Sequence, residues 1–207
     1  MKSNFEFLDK EFPVLSQFGK KAEAYLYSDS NSCLMKLGMI GETVVNLMFT
    51  YDQIMPPSEN TVVNRIGVLF REGLLTQDLV DILHALRKVR NKAVHENYSS
   101  IEDGKVLLQM AHSLCEWFMQ TYGDWNYQSI PFVMPTDSQK QDIVDTDDAQ
   151  EESLVKEAEE KAAASNSVTK EKRRQQAARA ASQRQKTEAE TRYIIDQQLR
   201  QVGWKAD

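Results

Sequence analysis

The chain has little of what most catalytic sites are built from. Its 207 residues include only two cysteines and three histidines, and no paired-cysteine cluster, His-Glu-x-x-His motif or Gly-x-x-x-x-Gly-Lys-[Ser/Thr] loop occurs. A zinc site needs grouped thiolate, imidazole or carboxylate ligands, and a phosphate loop needs its glycines for close backbone approach. No metal site is therefore predicted, and no cofactor is predicted to be held by this chain. Cys33 and Cys115 both fall inside apolar helical patterns, which predicts free, buried thiols rather than a disulfide. Cations are not in excess: 25 Lys and Arg stand against 31 Asp and Glu, a net charge of −6. Any nucleic-acid contact must then be local. No apolar run reaches the ~18 residues that span a bilayer, and the opening MKSNFEFLDKEF lacks the apolar stretch and cleavage site of a secretory signal. These absences predict a cytoplasmic protein without membrane contact.

What is present is distributed unevenly. Residues 1–130 hold nearly all the core formers, whereas residues 137–189 contain no aromatic and only Ile143, Val144, Leu154, Val155 and Val168 as large aliphatics. That second stretch cannot form a core of its own. Its charge is blocked: nine acids and one base over 141–160, a net of −8, precede nine bases and three acids over 161–192, a net of +6. Ala, Glu, Gln, Lys and Arg favour helix, so a solvated helical or disordered connector is predicted there, with folding of the oppositely charged blocks back on the chain or onto a partner surface as the alternative. The intervening GDWNYQSIPFVMP has no helical period and reads as an extended segment lying on the preceding domain. The predicted organisation is a helical domain over 1–130, a connector over 131–187 and a further helix over 188–207.

Helical periods recur through residues 12–122 and no strand-like alternation appears before residue 124. The fold class predicted is all-α, a small five-helix bundle with helices near 12–28, 32–52, 60–72, 76–95 and 101–122. Pro56 and Pro57, Gly73, Thr76, the Ser100/Asp103 pair and Gly123 supply stops and caps. The second helix is apolar on nearly every side and is expected at the centre. His84 and His112 have no ligand partners at metal spacing, while Trp117, Phe118 and Tyr122 read as packing residues.

The fourth helix carries the most information. At about 100° per residue, Leu79, Ile82, Leu83, Leu86, Val89, Ala93 and Val94 form one stripe, and Arg90 falls inside it. A guanidinium in a core needs an acceptor. Glu42, the only acid between Ser32 and Tyr51 and close to Gly38 and Gly41, is the expected partner, giving a buried Glu42–Arg90 pair. His84, Lys88, Asn91 and His95 form a polar stripe on the opposite face.

Residues Arg90 to His95 read RNKAVH, which resembles the signature of the HEPN superfamily of helical domains, some of them metal-independent ribonucleases. That resemblance implies catalytic or nucleotide-binding roles for Arg90, Asn91 and His95. Five positions on a helix lie about 140° apart, so a structural role for Arg90 stands as the competing reading.

The C-terminal EAETRYIIDQQLRQVGWKAD resembles the opening helix of the nuclease domain in R subunits of type I restriction enzymes. Glu188, Glu190, Thr191, Arg192, Ile195, Asp196, Leu199, Arg200, Gly203 and Trp204 carry it. The resemblance implies an N-terminal fragment of an R subunit whose helical domain docks or regulates within the restriction–modification complex. Methyltransferase and specificity subunits, and DNA through the parent complex, are the implied partners, with a homodimer as an alternative. Mg²⁺ and ATP are implied for a full-length parent, an ATP-dependent deoxyribonuclease, although no nuclease or motor motif occurs here. A third reading makes Lys170, Lys172, Arg173, Arg174, Arg179 and Arg184 a non-specific DNA contact, in a stretch without interleaved aromatics.

Overall fold

A computed structural model describes residues 2–137, 148–165, 168–184 and 186–201. Among these residues there are eight α-helices and no strand. After a 3₁₀ turn at Glu6–Leu8, the helices are α1 (Pro13–Tyr25), α2 (Ser30–Tyr51), α3 (Val62–Arg71), α4 (Gln77–Glu96), α5 (Ile101–Tyr122), α6 (Asp148–Ala164), α7 (Lys170–Gln183) and α8 (Glu188–Gln201).

Local chemistry explains where the first five begin and end. Asp29 accepts the Ser32 N–H at 3.1 Å to start α2, Thr61 accepts the Asn64 N–H at 3.2 Å to start α3, and Ser100 accepts the Asp103 N–H at 3.1 Å to start α5. Thr76 occupies the N-cap position of α4 but makes no capping bond. Beyond α3, Gly73 turns the chain with φ +70°, a left-handed conformation that glycine adopts without steric cost. At the end of α4, Asn97 takes the left-handed conformation. The Asn31 amide of α2 satisfies two carbonyls near this end, Ala93 O at 2.9 Å and Tyr98 O at 2.8 Å.

The centre of the molecule is α2, which packs against α1, α3, α4, α5 and α6. Leu34, Leu37, Ile40, Val44, Val45, Leu47 and Met48 are all buried. By length and composition α2 is apolar enough to cross a membrane, a property its interrupting Lys36 and Glu42 obscure in a search for unbroken runs; 67% of its most apolar window is buried inside the fold. Cys33 and Cys115 are free and buried, and Trp117 and Phe118 lie in the core. Residues 124–137 lie against the bundle without regular structure. Asn4 brackets Val133 with two bonds of 2.8 Å, and Glu116 accepts the Ile130 N–H at 3.0 Å.

The later helices do not form a solvated connector. Against α1 and α2 packs α6, against α5 packs α7, and against α4 and α5 packs α8. Small side chains make the contact, with Ala162, Ala177 and Ala180 buried. Ion pairs hold it: Glu151 of α6 reaches Lys21 and Lys36 at 2.6 Å each, and Arg173 of α7 reaches Asp52 at 3.1 Å. The prediction fails because an alanine and salt-bridge interface carries almost no hydrophobic signal. Ile143, Val144, Val202, Gly203 and Trp204 lie outside the described residues.

Candidate functional site

Of the predicted site residues, Glu42, Arg90 and Asn91 meet at a cleft of about 210 Å³ between α2, α3 and α4, lined also by Thr61, Ile66 and Arg87 among others. Its geometry begins at Gly38. A Cβ there would sit 2.2 Å from the Arg90 Cβ, so only glycine lets α2 and α4 approach this closely. The aliphatic stem of Arg90 lies across that glycine, and the guanidinium continues outward to Glu42, 3.4 Å away. The side chains are 38% and 37% exposed. The expected buried pair is therefore a pair at the rim of the cleft, because the arginine stem fills the core position and carries its charge to water. Val94, placed on the apolar stripe, is 50% exposed; the stripe stops at Ala93, one turn before the helix ends.

Asn91 joins Arg90 at the cleft, whereas His95 is exposed in the last turn of α4 and does not line it. Arg90 and His95 therefore do not share this cleft. Arg87, not singled out from the sequence, does line the cleft. Its spacing of three and four from Arg90 and Asn91 was the available signal. The Arg87 Nε is buried without a hydrogen-bond partner, and no carboxylate lies within ion-pair reach of Arg87 among the described residues. Burial lowers the pKa of Lys88, and the neighbouring Arg87 charge lowers it further. His84 is lowered by burial first, then by Arg87 and Lys88.

The other histidine inside the fold, His112, packs among Phe5, Phe7 and Phe132, and burial pulls its pKa down to about 4. It is a neutral packing residue. Among the described residues no three His, Cys, Asp or Glu side chains group as a metal-binding set.

The six cations considered for DNA contact meet different fates. Arg173 is buried between Asp52 and the Tyr122 ring, 4.2 Å from its centroid. Arg184 has a side chain only 5% exposed and pairs with Glu190 at 2.7 Å. Lys170 and Arg174 both reach Glu72, at 3.3 and 3.4 Å. Lys172 lies over the Trp125 ring at 5.1 Å, and Arg179 is exposed in a shallow groove that these two residues also line. Arg173 and Arg184 are spent on holding α7 and α8 to the bundle, so the sequence cluster is not one cationic surface.

Comparison with known proteins places this architecture. Over 137 residues the chain is 28% identical to the "Type I restriction enzyme EcoKI endonuclease subunit" of Escherichia coli (strain K12), a stretch covering 65% of this chain and 11% of that protein. The chain thus spans only about a tenth of the relative's length. No solved structure matches. A family model covers residues 20–170, running from α1 through the bundle to the start of α7. On that match the chain belongs to the family described as "Domain of unknown function (DUF4145)".

Proposed function

We propose that this chain is a HEPN-like helical docking or regulatory domain of a type I restriction R subunit, working in the cytoplasm within the restriction–modification complex on DNA. The observation that carries the reading is the distant similarity to the EcoKI endonuclease subunit, spread over 137 residues. The C-terminal resemblance through Glu188, Thr191, Arg192, Ile195 and Asp196, which fall on α8, points to the same parent. The proposed partners are the methyltransferase and specificity subunits. Mg²⁺ and ATP belong, in this reading, to the nuclease and motor portions of the parent, and no step is assigned to them here.

Docking suits what the cleft offers. Arg90 is engaged by Glu42, and His95 stands apart from it, so the surface presents recognition groups rather than an assembled acid–base pair. Co-purification of the tagged chain with methyltransferase and specificity subunits of a type I system tests the reading. Retention of either subunit is the expected result. If neither is retained, and deleting the domain from a full R subunit leaves assembly and DNA cleavage unchanged, the docking function is wrong.

A further inference from the structure

Beside the Arg90 cleft and continuous with it through Val63 and Ile66 runs a second groove, of about 470 Å³, between α3 and α4. Pro57, Val63, Gly67, Phe70 and Val80 line it. Val63, Gly67 and Phe70 stand at helical spacing on one face of α3, and Val63 and Phe70 are 42% and 45% exposed. Only the Arg71 guanidinium approaches the place where a Cβ on Gly67 would lie, so another helix could cross closely there.

Arg71 and Glu59 line this groove, and Arg87 lines the adjoining cleft. Arg71, Arg87 and Lys88 have no carboxylate within ion-pair reach among the described residues. Of the acids nearby, Glu42 is paired with Arg90, whereas Glu59 and Asp81 accept hydrogen bonds from the neutral amides of Asn64 and Gln77 and keep their charge. Two residues of this lining hold a buried nitrogen without a hydrogen-bond partner, His84 at Nδ1 and Arg87 at Nε. In a chain of net charge −6, Arg71 and Arg87 thus stand as two arginines without a carboxylate partner beside an apolar strip.

We propose that the α3–α4 groove docks an acidic amphipathic helix of a partner polypeptide, which lays its apolar side chains on Val63 and Phe70 and a carboxylate on Arg87. A helix with aliphatic and acidic residues on adjoining faces satisfies both halves of the surface at once. Nucleic acid satisfies only the cations, because the floor is aliphatic apart from Phe70 and offers no row of flat rings for bases. The proposal names the surface for the docking function above and rests on that reading.

Fluorescence anisotropy of the full chain with a labelled helical Leu/Glu peptide tests it, against the same peptide with Gln for Glu and a single-stranded oligonucleotide of equal charge. The Leu/Glu peptide should bind, the Leu/Gln peptide should bind roughly tenfold more weakly, and Arg87→Gln should abolish that difference. Phe70→Ala should weaken both peptides. Because Phe70 is half-exposed, that substitution keeps a folded protein in the comparison if Arg87→Gln disturbs folding. No binding of the Leu/Glu peptide, equal binding of the two peptides, or Arg87-dependent binding of the oligonucleotide alone overturns the proposal. The two readings fail separately: Arg87→Gln,Phe70→Ala protein that still retains the type I subunits removes this surface while sparing docking. Arg87-dependent peptide binding by a chain that retains no subunit removes the type I docking role alone.

Discussion

Arg90 and Arg173 each face a carboxylate on α2 or at its end, and water separates their consequences. The Arg90–Glu42 side chains are both more than a third exposed, so solvent screens the pair and the stems alone are packed. Such a pair contributes no more than about 1 kcal/mol. Arg173 and Asp52 are 6% and 3% exposed, and Asp52 also accepts the Tyr122 hydroxyl at 2.6 Å. Removing Arg173 strands that carboxylate and the Thr121 carbonyl, which the same guanidinium satisfies. Breaking a buried pair from one side costs about 3–5 kcal/mol. Urea unfolding should therefore show Arg173→Met lowering stability several times more than Glu42→Gln. Equal losses would mean that Arg173 is solvated in solution and that α7 does not dock as described. The arginine expected in the core was the wrong one, since helical phase identifies a stripe but cannot show that Gly38 leaves an exit for the Arg90 head.

At the scale of elements, legibility followed the kind of interface. Helices α1 to α5 lie close to their predicted spans because each combines an apolar stripe with Pro, Gly, Ser or Thr punctuation. The extended segment before Pro135 was legible for the same reason, through its aromatics and lack of period. Packing of α6 was not, because its docking rests on Glu151, one acid within an acidic run, meeting Lys21 and Lys36 that the sequence leaves scattered among many surface lysines. Burial alone would raise the Glu151 pKa, but the hydrogen bonds and charges of the two ammonium groups together outweigh it and lower the pKa, so the carboxylate stays ionised in the fold. A lowered carboxyl pKa contributes stability above the unfolded value, and that contribution is lost as pH falls through the folded one. Glu151→Gln should then reduce amide hydrogen-exchange protection across α6 by about tenfold or more, while α4 and α5 keep theirs. Acidification below the ordinary carboxylate range should act in the same direction on the native chain. Unchanged protection in α6 would show that its alanines, and not Glu151, hold it.

For the whole molecule, the question is whether the later helices are part of the fold or lie on a fold already complete. Helices α1 to α5 share one continuous core around α2, built from large side chains such as Phe5, Phe18, Leu37, Trp117 and Phe118. From α6 and α7 that core receives alanines as its fully buried members, and Trp117 donates its indole N–H to the Ala177 carbonyl at 3.1 Å. Alanine burial supplies little area compared with a Leu or Phe, so most hydrophobic stabilisation resides in the first five helices. Helices α6 to α8 form an arm that should stabilise the fold without being required. A chain ending at residue 137 should remain helical and unfold cooperatively, at a lower urea midpoint, with the Trp117 indole newly exposed on the bared face of α5. In a Trp125→Phe background Trp117 is the sole tryptophan of that shortened chain, and its emission should shift to the red relative to a full-length Trp125→Phe,Trp204→Phe control. If the shortened chain has no cooperative transition, the arm belongs to the folding unit.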